Sequence, residues 1–299
     1  MHTAKMPTTK IQILSDLHLE MPTGSSLTSY TRFDIIPRAP HLALLGDIGT
    51  VSTQDPISGD FATFLRRQLT HFDTIFFIPG NHEPYDSSWH EVNVFFERFQ
   101  ASLAEFRTVM EHAGEEIGEF VFLNKGRYDF GEREGEEEGE GKGEEGVTVL
   151  GCTLFSKIEP REFQQMKLGL NDFHKTKGWS PRQHSGAHKR NLEWLNEQVG
   201  MLEGTGRKVV VLTHHSPTMD ERAVEPRHKG STFQSGFMTD LSAEKCWKSK
   251  DVKVWAFGHT HYNCDFVDEF GKRVVTNQKG YAFDGEGVEG YDVDKVIEV

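Results

Sequence analysis

Six short apolar runs punctuate the chain: IQIL (11–14), LALL (42–45), IFFI (75–78), VTVLG (147–151), VVVL (209–212) and VKVWAF (252–257). They are short, rich in Ile, Val and Phe, and bounded by Gly, Asp, Asn or Pro, which predicts strands. Between them, Phe61, Phe64, Leu65, Leu69 and Phe72 keep helical spacing, as do Leu192, Leu195, Val199 and Leu202. Alternation of this kind predicts a layered α/β domain. The stretches FVFLNKGRYDF and VTVLGCTLF, the latter starting with the fourth run, read as two strands joined by a long loop, and VDEFGKRVV as a hairpin.

The polar residues at the ends of these runs carry the chemistry. Five runs end in Ser15-Asp16-Leu17-His18, Gly46-Asp47, Gly80-Asn81-His82-Glu83, His214-His215 and Gly258-His259-Thr260-His261. Taken singly, each is an ordinary turn or helix cap. Five together argue for a site, because open α/β sheets bind ligands beyond the carboxyl ends of their strands. In an extended backbone residues i and i+2 share a side, so Asp16 with His18, and His259 with His261, would each aim two groups into one volume. Glycines at 46, 80 and 258 would let the backbone come close to whatever is bound. Two Asp, one Asn and several His without Cys suit Mn, Fe, Zn or Ni. Seven such groups exceed the needs of one ion, and two ions bridged by a carboxylate would use them all.

Charge narrows the partners. The net charge of -13 disfavours a nucleic-acid polymer or an anionic membrane. Residues 131–146, GEREGEEEGEGKGEEG, hold eight Glu against Arg133 and Lys142, and read as a flexible loop insertion that cannot bury enough apolar surface to order itself. The opening MHTAKMPTTK lacks the apolar centre of a secretory signal, and no stretch reaches the roughly 18–20 apolar residues of a membrane span. Three cysteines with no close pair fit a reducing compartment and argue against a thiolate zinc site. The expectation is a soluble, cytoplasmic protein whose residues 1–299 form one domain.

In order along the chain, SDLHLE, LLGDIG, IPGNHE, LTHHSP and FGHTH resemble the D-x-H, GD, GNH[ED], H and GHxH pattern of the calcineurin-like metallophosphoesterase superfamily. LNDFHKTKGWS and NLEWL resemble pieces of its small phosphoesterase branch. The resemblance implies a four-layer αββα sandwich, two mixed β-sheets flanked by helices, with a dinuclear centre at one edge. It implies that Asp16, His18 and His261 hold one divalent ion (Mn, Fe or Zn), that Asn81, His214 and His259 hold the other, and that Asp47 bridges them. His82 would face substrate as general acid, with Glu83 able to orient it, and a metal-bridging hydroxide would be the nucleophile. Alignment on the strand end makes His214 the ligand, whereas alignment on the adjoining Ser-Pro would choose His215. His214 is preferred, which leaves His215 to touch substrate or to pack in the loop.

Two ions at +4, two aspartates and a hydroxide leave the centre at about +1, fit for an anionic phosphate. The arginine of the GDxVDRG motif of protein phosphatases is absent from GDIGTV, which disfavours a phosphoprotein substrate. Residues 157–190 carry eight Lys or Arg against three acids, together with His174, His184 and His188; with Arg227, His228 and Lys229 they would form either a phosphate-drawing lid or an ordinary solvated surface. A small phosphodiester is the expected substrate, with a cyclic nucleotide such as a 2',3'-cyclic phosphate suggested by analogy. Rival readings are a phosphomonoesterase with the same centre, a non-catalytic metal-binding scaffold and, against the net charge, a nuclease.

Overall fold

The computed structural model describes residues 8–21, 29–131, 146–281 and 287–299. Residues 132–145, the body of the insertion expected at 131–146, lie outside the described residues.

The first part of the chain builds one sheet. Strands Lys10–Leu14 (β1) and His41–Leu44 (β2), helix Asp60–Leu69 (α1), strand Thr74–Phe77 (β3), helix Trp89–His112 (α2) and strand Glu119–Phe122 (β4) succeed one another in that order. The four strands lie side by side and parallel. Ser88 caps α2, its side chain accepting the Glu91 N–H, which meets one of the donors a helix start leaves without a partner.

The second sheet begins where the segment FVFLNKGRYDF divides. It forms two strands, not one: β4 ends at Phe122, the chain turns at Lys125 with φ 59°, and Gly126–Asp129 (β5) enters the other sheet. Strand Val147–Cys152 (β6) follows the long loop, as expected, and pairs antiparallel with β5. Helices Phe163–Gly169 (α3), Asp172–Lys175 (α4) and Pro181–Leu202 (α5) precede strand Lys208–Thr213 (β7). Helix Lys245–Lys248 (α6) leads into strand Val252–Phe257 (β8). Strands Asp265–Val267 (β9) and Arg273–Thr276 (β10) form the anticipated hairpin. Strand Val296–Glu298 (β11) returns to the first sheet, antiparallel to β1. The orders are β11-β1-β2-β3-β4 and β5-β6-β7-β8-β10-β9, so both sheets are mixed.

Side-chain alternation sorts the core into three layers between four layers of backbone. Leu42, Leu44, Ile75 and Phe77 point outward onto Phe61, Phe64 and Leu65 of α1 and Phe96 and Phe99 of α2. Their neighbours Ala43, Phe76 and Ile78 point inward and meet Val210, Leu212, Val254 and Ala256 of the second sheet. On the far side, Val209, Val211, Trp255 and Phe257 pack against Leu195, Val199 and Leu202 of α5 and Trp247 of α6. The result is the expected αββα sandwich. Strands buried on both faces have no polar side to show, which is why they read as unbroken apolar runs. No helix among the described residues is long and apolar enough to cross a membrane.

The carboxyl ends of β1, β2, β3, β7 and β8 come together along one edge of the sandwich. An isolated bridge, Ser15 to Gln278, ties the end of β1 to the segment after β10, and the Gly258 N–H donates to the His214 carbonyl at 2.9 Å. The five polar clusters sit on this seam.

Candidate metal centre

Three of the five clusters leave their strands through a backbone kink. Asp16 (φ 53°), His18 (48°), Asp47 (53°), His259 (73°) and His261 (50°) all occupy the left-handed region that bulky residues rarely adopt. The extended D-x-H and H-x-H geometry expected from spacing is therefore replaced by alternating left-handed residues. These turn the chain away from the sheet while residues i and i+2 still enter one volume. Such conformations cost roughly 1–3 kcal/mol each, and the surroundings hold them. The Asp16 N–H donates to Gly46 O and the His18 N–H to Asp47 O, both at 3.0 Å. Close approach explains the glycines. A Cβ on Gly46, itself at φ 88°, would lie 2.5 Å from His214 Nδ1, and one on Gly258 would lie 2.7 Å from Asp16 Oδ2 while overlapping Ser15 Oγ.

Three groups of side chains result that could hold a cation, the donor atoms of each within 4.8 Å of one another: Asp16, His18 and His261; Asp47, His214 and His259; and His18, Glu20 and His82, which shares His18 with the first. In the first, His261 Nε2 lies 3.3 Å from Asp16 Oδ1 and 3.1 Å from His18 Nε2. In the second, His214 Nε2 lies 3.5 Å from Asp47 Oδ1 and 2.9 Å from Asn81 Oδ1, which brings Asn81 into the group. His214 Nδ1 donates to the Leu45 carbonyl at 2.8 Å, so Nε2 is the nitrogen free to face the site. His259 Nε2 is buried without any partner.

The electrostatics call for a cation. Burial pushes the Asp47 carboxyl well above its usual range, and the nearby Glu83 and Asp16 charges add to the push. Burial acts the same way on Asp16, but the hydrogen bond and charge of His261, with His214 and His18 behind, hold it below the usual range. Burial also drives His214 down to about 4 and His18 and His259 below their ordinary value. Neutral imidazoles around buried carboxylates form a donor set that ligates divalent ions.

Around this core the sequence expectations fare unevenly. Glu83 does not orient His82. It is wholly buried, and its carboxylate accepts the backbone N–H groups of Gly80 (2.6 Å), Ile48 (2.9 Å) and Asp47 (3.1 Å), clamping the GD turn to the GNH turn. Glu20 does the orienting: its Oε1 accepts from His82 Nδ1 at 3.1 Å and from His18 Nδ1 at 3.3 Å. His82 Nε2 then meets the Tyr281 hydroxyl at 2.9 Å, and its ring lies 4.2 Å from that of Tyr85. Asp172 accepts from Asn81 Nδ2 (2.9 Å) and from the Tyr85 hydroxyl (2.6 Å), which aims Asn81 Oδ1 at His214. Sequence reasoning misses Glu20, Asp172 and Tyr281 as site residues; Glu20 and Asp172 stand inside the SDLHLE and LNDFHKTKGWS motifs, and nothing local marks Tyr281.

The site opens into a cavity of about 300 Å³. Asp47, Asn81, His82, His259 and His261 reach it from the seam, and Leu170, Arg227, His228, Phe237 and Tyr281 close it from the other side. His215 does not line it. That residue is wholly buried behind His259, 4.1 Å between ring centres, with Nδ1 on the Thr153 carbonyl at 3.3 Å. The basic segment 157–190 contributes Gly169, Leu170, Asn171 and Asp172 but none of its eight lysines and arginines, while His184 and His188 lie on the buried face of α5. Arg227 and His228 do reach the cavity, both leaning on Glu225.

The chain has relatives among known proteins. An uncharacterized protein of Acanthamoeba polyphaga mimivirus is 25% identical over 305 residues, covering 96% of this chain and 98% of its own. A phosphopantetheinyl hydrolase from Mycobacterium tuberculosis shares the fold, with a TM-score of 0.63 at 13% identity over 98% of this chain and 96% of its own. A dimetal phosphatase from Danio rerio aligns with a TM-score of 0.44 at 13% identity over 91% of this chain and 88% of its own. The model of the family described as calcineurin-like phosphoesterase matches residues 9–263, the span that carries all five clusters, and the chain therefore belongs to the calcineurin-like phosphoesterase family.

Proposed function

We propose that this phosphoesterase hydrolyses a small phosphodiester with two divalent ions held on the seam. Asp16, His18 and His261 would hold one ion and Asn81, His214 and His259 the other, with Asp47 between them. The orphaned His259 Nε2 and the 3.1 Å approach of two ring nitrogens, His18 and His261, fit this role, since a bound cation would give each a partner. The nitrogen and oxygen donors suit Mn, Fe or Zn. When bound, such ions supply a water nucleophile at neutral pH and offset charge on the phosphoryl oxygens.

The chain's own residues do the rest. With Nδ1 engaged by Glu20, His82 presents Nε2 to the cavity, where the Tyr281 hydroxyl marks a place for an oxygen 2.9 Å away. A departing alkoxide seated there would take its proton from His82 Nε2. The observation that favours a diester is the cavity itself. Its Leu170, Phe237 and Tyr281 walls leave apolar surface beyond the ion-holding groups for a second ester substituent. Cyclic nucleotides, 2',3'-cyclic phosphates among them, are the first natural class to try. The shared inner core of the two sheets supports a single domain, and the free thiols of Cys152, Cys246 and Cys264 suit a cytoplasmic setting.

The test is manganese-reconstituted turnover of bis(p-nitrophenyl) phosphate relative to p-nitrophenyl phosphate, with a chelated control. A ratio well above one, lost on chelation, is expected. A ratio well below one would make the protein a monoesterase, and silence on both despite tight metal binding would make it a scaffold.

A further inference from the structure

The cavity does not end at Phe237. A second hollow of about 80 Å³ adjoins it, and four residues, Glu225, His228, Phe237 and Thr260, line both. The space is therefore two-lobed, with Phe237 on the partition. The small lobe is floored by Val224 and Met238, each only 5% exposed, and its lining is mainly apolar. It is also built on fixed backbone. Met238 is bridged to Ser216 beyond the end of β7, Phe237 lies 4.9 Å from His259 with rings nearly parallel, and Thr260 Oγ1 accepts from Gln278 Nε2 at 3.0 Å.

We infer that the small lobe is a specificity subsite for the ester group that stays on the phosphate, and that this group is compact, uncharged and apolar. The inference rests on the phosphodiester reading and departs from its cyclic-nucleotide suggestion, favouring acyclic diesters with one short alkyl-like substituent. The ion-holding groups and His82 border only the large lobe, where the phosphate would sit. Glu225, which lines both lobes, is already paired with Arg227 and His228, so the small lobe offers an incoming group chiefly the apolar surface of Val224, Phe237 and Met238. Volume sets the length. At about 15 Å³ for each water-sized unit, the lobe takes about five non-hydrogen atoms, so a nucleobase would enter only in part.

The test is a series of alkyl p-nitrophenyl phosphates from methyl to octyl, assayed with the manganese-loaded full chain. Each buried methylene contributes about fourfold in kcat/KM, which gives a rise on the order of fiftyfold from methyl to butyl and a plateau near five carbons. Met238→Phe, which fills the lobe, should collapse the butyl-to-methyl ratio toward one. Met238→Ala, which enlarges it, should move the plateau to longer chains. A flat series, a rise that continues to octyl, or a ratio untouched by both substitutions would overturn the subsite. Calorimetric binding of methyl- and butylphosphonate to the manganese-loaded protein separates the two readings. Preference for butyl without diester turnover would sink the diesterase reading alone, and equal affinities would sink the subsite whether or not turnover is seen.

Discussion

Glu20→Gln should weaken metal binding and slow turnover by separate routes, each by about five- to tenfold. Burial alone would push the Glu20 carboxyl up, yet the hydrogen bonds and charges of His18 and His82 bring it down to about 2, so it is ionised throughout the neutral range. Its Oε1 is shared, 3.3 Å from His18 Nδ1 and 3.1 Å from His82 Nδ1. A hydrogen bond to a charged group contributes about 1.5–3 kcal/mol and a neutral one about 0.5–1.5. The amide keeps the shape and forfeits about 1–1.4 kcal/mol at each bond, which corresponds to about five- to tenfold. The His18 share should appear in calorimetry as a weaker manganese Kd. The His82 share should appear as a lower kcat, larger for poor leaving groups, which need a well-aimed proton, than for p-nitrophenolate, which departs unaided. Saturating manganese should repair the first loss and leave the second. Glu20→Ala, which removes both bonds, should fall within the 10- to 100-fold range typical for partners of metal-binding histidines. Wild-type Kd and kcat in Glu20→Gln would refute the reasoning and mean that packing against Tyr85 and Tyr281 suffices to fix both rings. A kcat loss equal for all leaving groups would refute the His82 half alone.

His82→Ala should retain two ions by elemental analysis while losing about 10²- to 10⁴-fold in kcat, most for alkyl leaving groups; loss of the metals would remove His82 from the proton-donor role. Gly258→Ala should destabilise the fold by about 1–3 kcal/mol through overpacking, and by displacing Asp16 should reduce manganese content from two ions to one, an outcome that two retained ions would contradict. Burial, with the charge of His188, drives His184 down to about 3, and its Nε2 accepts the Ser156 N–H at 2.9 Å. The unfolded chain thus takes up this proton first as pH falls below about 6.5, so the contribution is intact above that value and drains away toward about 3, at up to about 1.4 kcal/mol per pH unit. Urea midpoints of metal-free protein between pH 7 and 4 should show that slope, and His184→Asn should make it shallower; an unchanged slope would exclude His184 as its source.

The strands and the five clusters are legible in the sequence because each depends on neighbours along the chain: a short apolar run, then a turn bearing a donor. Helix α2 is equally local, since Val92, Phe95, Phe96, Phe99 and Leu103 keep helical spacing and could be read the same way. Other features are not local. Glu20 meets His82 across 62 positions, Asp172 meets Asn81 across 91, and Tyr281 meets His82 across 199, so even Glu20 and Asp172, which stand inside the SDLHLE and LNDFHKTKGWS motifs, show no partner in their own neighbourhoods. Glu83 misleads for the opposite reason. Adjacency to His82 suggests an orienting role, whereas its carboxylate serves backbone donors of its own turn and of the GD turn. The left-handed residues carry no sequence mark at all, because Asp and His tolerate that conformation only where the fold imposes it.

The seam on which the site lies has a mechanical consequence. Asp16, His18, Asp47 and Asn81 leave one sheet, and His214, His259 and His261 leave the other. Ions held as proposed would rivet the two halves of the sandwich, and neither half could peel away while both rivets were in place. The lifetime of the folded chain would then track the escape rate of its ions. A cell short of metal would lose the protein itself to proteolysis, and not merely its activity.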